Sequence, residues 1–270
     1  VCSWKVKDAK GKRQERVRIE VSADESFLHP VYEKEGKDLN SLAEPLAFAL
    51  IPHTRYFCRV TVEDELGDRA SSETVWFETA KVNEPWIGSW IGTETCDTFH
   101  PEFIKNFGVK GKVESARLYI CGLGYHEAFI EGKKVSENLL EPAFTKYDAL
   151  SYYRVCDVTE RLPAAGPATL GVALGNGWYN CFTEDAWNIR QASWRAVPKL
   201  LCELYITYAD GTQDCICSDT GWKTSPGPIT FNSIRNGEWY DARLELPGWS
   251  ESTYGADGWQ DAELVRGAGG

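Results

Sequence analysis

Apolar positions in this chain recur every second residue, in short runs, and almost nowhere at the spacing of a helix. Residues 16–22 (RVRIEVS), 54–63 (TRYFCRVTVE) and 73–79 (ETVWFET) alternate in this way between clusters of Gly, Pro, Asp or Ser, the pattern of half-buried strands. Shorter strand patterns follow at 101–109, 115–122, 124–130, 151–157, 168–174, 198–209, 213–218, 229–234 and 238–243. Between several of them stand Glu131-Gly132, Asp210-Gly211 and Asn236-Gly237, dipeptides suited to the positive φ of tight turns. Only residues 158–162 suggest a turn of helix. Many short strands without helices predict an all-β chain of sandwich or jelly-roll type.

Within the first part, Leu50-x-Pro52-x-Thr54-x-Tyr56 leads into a strand whose Tyr56 face continues through Cys58, Val60 and Val62. This run resembles the fibronectin type III signature, in which a tyrosine at the start of a core strand ties down the preceding corner. The resemblance covers residues 16–79 and implies a fibronectin type III-like sandwich, with a first edge strand within residues 1–13. Residues 81–85 read as a linker, and Trp86-Ile87-Gly88-Ser89-Trp90-Ile91-Gly92 opens a segment of different composition. Two domains are expected, over 1–80 and 81–270. Trp86 and Trp90 alternate with small residues and read as packing between them.

Composition narrows the function classes. With 43% apolar and 13% aromatic residues among 270, a sizeable core is within reach. The net charge of −11, from 40 acidic against 29 basic residues without a basic block, argues against nucleic acid or an anionic membrane as partner. No apolar run has the length of a membrane span, and residues 1–15 lack the apolar core of a signal peptide. There is no Met, even at position 1, as expected for a piece of a longer protein. Nine Cys, at 2, 58, 96, 121, 156, 181, 202, 215 and 217, lack metal-knuckle spacing and fall mostly in apolar strand patterns. They are expected to be free thiols packing as small hydrophobes. Cys215 and Cys217 share a strand face without a nearby His, and His29, His53, His100 and His126 show no ligand spacing.

The segment with the most chemistry is Thr169–Tyr179 (TLGVALGNGWY), an alternating strand that runs out into Gly175-Asn176-Gly177 and then Trp178-Tyr179. Glycines flanking an Asn permit positive φ and close approach, and the two aromatics offer flat surfaces at the turn's mouth. The same residues also fit a tight corner plugged by its own aromatics. Beyond it the connection over 180–195 is long for a sandwich and carries Glu184, Asp185, Trp187, Asn188 and Trp194.

A family resemblance joins these parts. The Trp86–Gly92 opening is followed by Ala116-Arg117-Leu118-Tyr119-Ile120-Cys121-Gly122-Leu123-Gly124-Tyr125 and Gly132-Lys133-Lys134-Val135. Next come Leu140-Glu141-Pro142-Ala143-Phe144-Thr145-Lys146-Tyr147-Asp148, Cys156-Asp157-Val158-Thr159 and the 174–179 corner. Gly227-Pro228-Ile229 and Asn236-Gly237-Glu238-x-Tyr240-Asp241-Ala242-Arg243 close the set. In order and spacing over 86–249 this resembles the N-terminal half of bacterial α-L-rhamnosidases, which carry a fibronectin-like domain in front.

The resemblance implies that hydrolysis of terminal α-L-rhamnosides belongs to a helical barrel C-terminal to these modules, so no catalytic residue is expected in this chain. A glycosidase needs two carboxylates facing each other, roughly 5–9.5 Å apart. Glu238 and Asp241 would point to opposite faces of a strand, and Glu184 and Asp185 are sequence neighbours. The second module resembles the family's rhamnose-binding domain, where a calcium ion touches the sugar. Carried over by motif, the site residues are Asn176 and Gly177, the 227–229 loop, and Trp178, Trp187 or Trp194; the corner and the long connection together predict a carbohydrate pocket lined by Asn176, Trp178, Tyr179, Trp187 and Trp194 with that loop at its edge. Glu238, Glu184 or Asp185 would supply charge. One amide and a Gly make a poor calcium site, so no metal is expected, or calcium at most weakly held. The expected partners are a rhamnose-containing glycan and the C-terminal catalytic barrel of the same protein. The rival reading is purely structural support of that barrel, without sugar binding. The glycan points to a bacterial periplasmic or secreted protein and leaves the cytoplasm open.

Overall fold

A computed structural model describes residues 1–93, 100–181 and 187–269. The chain divides into two compact units, Val1–Pro85 and Trp86–Gly270. Both are built almost wholly of antiparallel strands. No helix among the described residues is long and apolar enough to cross a membrane.

In the first unit β1 (Gln14–Ser22), β2 (Pro30–Gly36), β3 (Arg55–Asp64), β4 (Arg69–Ser71) and β5 (Val75–Glu78) form a five-stranded sheet. Its order is β2-β1-β3-β4, and β5 takes the first half of β3. Alternation sets the faces. Val17, Ile19 and Val21 lie opposite Val62, Val60 and Cys58 and line the core, while Glu20 lies opposite Arg59 and accepts its Nε–H at 2.8 Å. Tyr56 is buried between Phe48 and Phe77, with ring centroids 5.4 Å from each. Its hydroxyl oxygen accepts the Ile51 N–H at 3.1 Å, the corner tie that the sequence implies. Residues 1–13 supply an isolated bridge, Cys2 to Glu44, rather than a full edge strand. The segment read as a linker is anchored to this unit, since Glu84 meets the His53 ring at 2.5 Å.

The second unit runs through β6 (Ile91–Gly92), β7 (Pro101–Val109), β8 (Val113–Leu123), β9 (Tyr125–Ile130), β10 (Lys133–Lys134), β11 (Arg154–Asp157) and β12 (Gly166–Gly175). It continues with β13 (Lys199–Tyr208), β14 (Gln213–Cys217), β15 (Lys223–Pro226), β16 (Ile229–Ser233), β17 (Gly237–Tyr240), β18 (Gln260–Asp261) and β19 (Glu263–Leu264). Two six-stranded sheets result, one ordered β10-β9-β12-β7-β15-β18, the other β11-β8-β13-β6-β19 with β14 beside β13. Leu170, Val172 and Leu174 of the first face Leu118, Ile120, Leu200, Cys202 and Leu204 of the second across one core, closed by Trp222. This is a β-sandwich. The first and last strands of the unit are neighbours, Ile91 pairing with Leu264 and Gly92 with Glu263.

Several expectations shift in detail. Strand β11 starts at Arg154, three residues after the pattern at 151–157 begins. Strand β17 ends at Tyr240, and Asp241 instead caps a 3-10 turn, its carboxylate accepting the Arg243 N–H at 3.1 Å. Asp241 and Glu238 are therefore not partners on one strand. Trp86 meets Tyr153 edge-on at 5.3 Å, and Trp90 packs on the cluster of Cys121, Leu123, Tyr147 and Tyr179, so both tryptophans have packing roles within the second unit. Cys2, Cys58, Cys121, Cys156, Cys181, Cys202, Cys215 and Cys217 are free thiols, and Cys96 lies outside the described residues.

Candidate sugar-binding site

Strand β12 leaves the core at Gly175, and the chain turns back against the β8–β9 corner. A Cβ on Gly124, whose φ is +26°, would lie 2.2 Å from the Gly175 carbonyl oxygen and 2.3 Å from that of Asn176. Only glycine permits this approach. The corner is thus held on a rigid edge of the sandwich.

Asn176 is fully buried. Its N–H donates to Asn232 Oδ1 at 2.7 Å and its Nδ2–H to the Asn232 carbonyl at 3.0 Å. Its Oδ1 accepts from Asn180 Nδ2 at 2.8 Å. The side-chain nitrogen and oxygen are thus both turned toward the protein's own chain. Tyr179 is also fully buried, edge-on to Tyr147 at 5.2 Å, and burial pushes its phenol up to about 12. Trp194 packs on Tyr147 at 6.1 Å in the same cluster.

The remaining tryptophans point the other way. Trp187 is 76% exposed, and its ring lies 5.7 Å from that of half-buried Trp178. Phe144, itself partly exposed, also meets the Trp178 ring, at 5.9 Å. Trp187 and Asn188 both take left-handed backbone, with φ of 49° and 58°, which non-glycine residues seldom adopt. Cys181, Ile189 and Ile234 support Trp178 from beneath. The result is a surface tract of three aromatic rings over a fixed base. Of the residues singled out in the sequence, Trp178 and Trp187 come together there, whereas Asn176, Tyr179 and Trp194 form the packed ground behind them. Glu238 is exposed on β17 opposite Asn232 in the hairpin. Glu184 and Asp185 lie outside the described residues.

Two contributors escaped the sequence reading. Phe144 sits in the Leu140–Asp148 motif without any spacing that ties it to Trp178. Glu102, on β7, is only 4% exposed, and its Oε2 is buried without a hydrogen-bond partner. Burial pushes this carboxyl up to about 7. It lies beneath the 227–229 loop, where a Cβ on Gly227 would come 2.9 Å from Glu102 Oε1. The loop is pinned by the Gly227 N–H to the His100 carbonyl at 2.9 Å and the His100 N–H to the Ile229 carbonyl at 3.2 Å. Beside the tract, residues 138–143 and 152–154 enclose a cleft of about 450 Å³. On its wall Glu141 accepts from Arg154 Nε at 2.6 Å and from Asn138 Nδ2 at 3.0 Å.

The oxygen donors at this corner suit calcium poorly. The ion takes six to eight hard oxygens, but the Asn176 and Asn232 side-chain oxygens both accept hydrogen bonds from within the chain. No group of three or more His, Cys, Asp or Glu among the described residues could hold a metal ion. The Asn176–Asn232 corner therefore does not fit a calcium site. Of the neighbouring carboxylates, Asp241 pairs with Arg243 at 2.6 Å, Glu245 accepts the Tyr240 hydroxyl at 2.6 Å and Glu102 is enclosed under its loop, while Glu238 is exposed on its strand.

Comparison with known proteins places this architecture. Residues 111–268 match the model of the alpha-L-rhamnosidase N-terminal domain. The chain belongs to that family. In front of it, residues 1–83 match the Rha78A-like, N-terminal immunoglobulin domain. An alpha-L-rhamnosidase of Formosa agariphila is 34% identical to this rhamnosidase-family chain over 254 residues, 83% of the chain and 25% of the relative. One from Alteromonas sp. is 28% identical, over 95% of the chain and 30% of the relative. The solved alpha-L-rhamnosidase from Dictyoglumus thermophilum superposes with a TM-score of 0.88 at 28% identity, over 99% of the chain and 32% of that structure. The Streptomyces avermitilis enzyme complexed with L-rhamnose, at 18% identity and a TM-score of 0.87, shares the fold over 97% of the chain and 42% of its own. The chain spans about a quarter of the length of the first of these relatives.

Proposed function

We propose that this chain is the non-catalytic N-terminal part of an α-L-rhamnosidase and that its second unit recognises rhamnose-bearing glycans. The observation that carries the reading is the exposed Trp187 ring beside Trp178, with Phe144 completing the tract. A deoxysugar has an apolar face with a methyl group and an opposite edge of hydroxyls. Aromatic rings take the first, and the polar groups of the neighbouring hairpin and of the 138–154 cleft can take the second. The reaction would then rest with a C-terminal catalytic part of the same protein, and the glycan is its substrate. Affinity for the monosaccharide is expected on the order of millimolar, since one small sugar gains little beyond its ordering cost. Titration of L-rhamnose followed by NMR should move the Trp178 and Trp187 indole signals, and Trp187→Ala should remove the effect.

A second reading, structural support of the catalytic part without sugar binding, is favoured by the burial of Asn176 and Tyr179 and the packing of Trp194 on Tyr147. Saturating shifts at other residues, or none at high sugar concentration, would select it.

A further inference from the structure

We propose that Cys2 and Cys58 of the first unit form a reversible disulfide by exchange with a small disulfide such as oxidised glutathione. The inference goes beyond the sugar reading and does not depend on it. The Cys2 backbone is fixed: its N–H donates to the Glu44 carbonyl at 2.8 Å and its carbonyl accepts the Glu44 N–H at 2.8 Å. The bond from the Trp4 N–H to the Ser41 carbonyl, at 3.0 Å, extends this anchorage. So held, the half-buried Cys2 side chain packs on the core formed by Val17, Ile19, Val21, Tyr56, Cys58 and Val60. Cys58 enters that core from β3, in register between Val21 and Val75. Both thiols thus belong to one packed cluster, where burial pushes Cys58 up to about 12 and the neighbouring Cys2 thiol acts in the same direction.

These surroundings order the chemistry. A thiol held as high as Cys58 offers little thiolate, so the more accessible Cys2 attacks first. Its sulfur bonds to one sulfur of glutathione disulfide, the small S–S bond breaks, and one glutathione leaves carrying the Cys2 proton. Cys58 then attacks the Cys2 sulfur while its proton passes to the second departing glutathione. The protein thiols lose two electrons, the small disulfide gains them, and both protons end on glutathione. The new bond ties the segment anchored at Glu44 to the central strand of the sheet.

The test is to incubate the whole chain with glutathione disulfide at about pH 8 without denaturant, then to count thiols and map peptides. Loss of two thiols, a Cys2–Cys58 cross-linked peptide and a reductant-reversible rise of roughly 10 °C in the first unit's midpoint are expected. Cys2→Ser should abolish all three. Because Cys58 lies in the core, Cys58→Ala risks the fold itself, and the half-buried Cys2 position is the deciding one. A glutathione adduct that stays on Cys2, a cross-link mapping to another pair, or no loss of thiols would overturn the proposal.

Discussion

Asn176 donates two hydrogen bonds to Asn232. The Asn176 N–H reaches Asn232 Oδ1 at 2.7 Å, and Asn176 Nδ2–H reaches the Asn232 carbonyl at 3.0 Å. The pair fastens the end of β12 to the β16–β17 hairpin, and through it the base on which Trp178 stands. Asn176→Ala would leave the Asn232 carbonyl and Asn180 Nδ2 without these partners in a buried place. A loss of about 2 to 3 kcal/mol is expected in denaturant unfolding of the second unit.

Trp187 is expected to behave in the opposite way. With most of its ring in solvent, Trp187→Ala should change stability by less than about 0.5 kcal/mol while weakening rhamnose binding severalfold or more. Equal losses in both measurements would mean that the ring supports the fold rather than a ligand. The comparison with Asn176→Ala therefore separates a contact surface from its foundation.

The Tyr56 corner offers a test of the first unit. Tyr56→Phe keeps the packing between Phe48 and Phe77 and removes the acceptor of the Ile51 N–H. A destabilisation of about 1 kcal/mol is expected, read as a lower thermal midpoint without a change of fold.

Glu102 gives a pH dependence whose sign is fixed by burial. Its carboxyl ionises near 4.5 when exposed and at about 7 in the folded unit. Between those values the folded chain binds the extra proton, so this group's contribution to stability falls as pH rises across the window and stays low above it. Glu102→Gln should remove that fall, so the variant gains on the parent protein by up to about 3 kcal/mol as pH rises. His126 acts in the opposite sense: burial lowers it from 6.5 to about 4, so its contribution is lost as pH falls through that range. Unfolding curves of parent and variant from acid to neutral pH would distinguish the two groups.

On an aryl α-L-rhamnoside, the isolated chain is expected to show no turnover. Asp241 is bound to Arg243 and Glu102 is enclosed, so neither is free to serve as one of the two facing carboxylates that hydrolysis needs. Activity that follows the purified chain and disappears in Glu238→Gln would contradict this.

What was legible in the sequence is what alternation encodes. Val17, Ile19 and Val21, like Leu170, Val172 and Leu174, announce a buried face because their neighbours along the strand are polar or small, and the structure buries them. Strand β2 was missed because its sequence, PVYEKEG, is dominated by charge. It owes its place to pairing with β1, where Arg16 meets Glu35 at 2.8 Å. Strand β15, KTSP, has no apolar side chain except its terminal proline and is fixed by its neighbours β7 and β18. At the site, Gly-Asn-Gly reads the same whether the amide serves a ligand or the chain itself. Its actual partner, Asn232, stands 56 residues away, beyond the reach of any local pattern. Trp178 and Trp187 look alike in sequence to Tyr179 and Trp194, and only packing around Tyr147 separates inward from outward rings.

The pairing of β6 with β19 also has a mechanical meaning. Ile91, at the start of one, lies opposite Leu264, at the end of the other, and the Val265 N–H donates to the Trp90 carbonyl at 2.9 Å. Tension applied through the two ends of the unit would meet these rungs one after another, as a zipper is opened, rather than all at once. A ladder of two-residue strands resists that mode weakly, in contrast to the long β8–β13 ladder. Under a tether the clip would part first and let the ends extend, sparing the sandwich and the aromatic tract it carries.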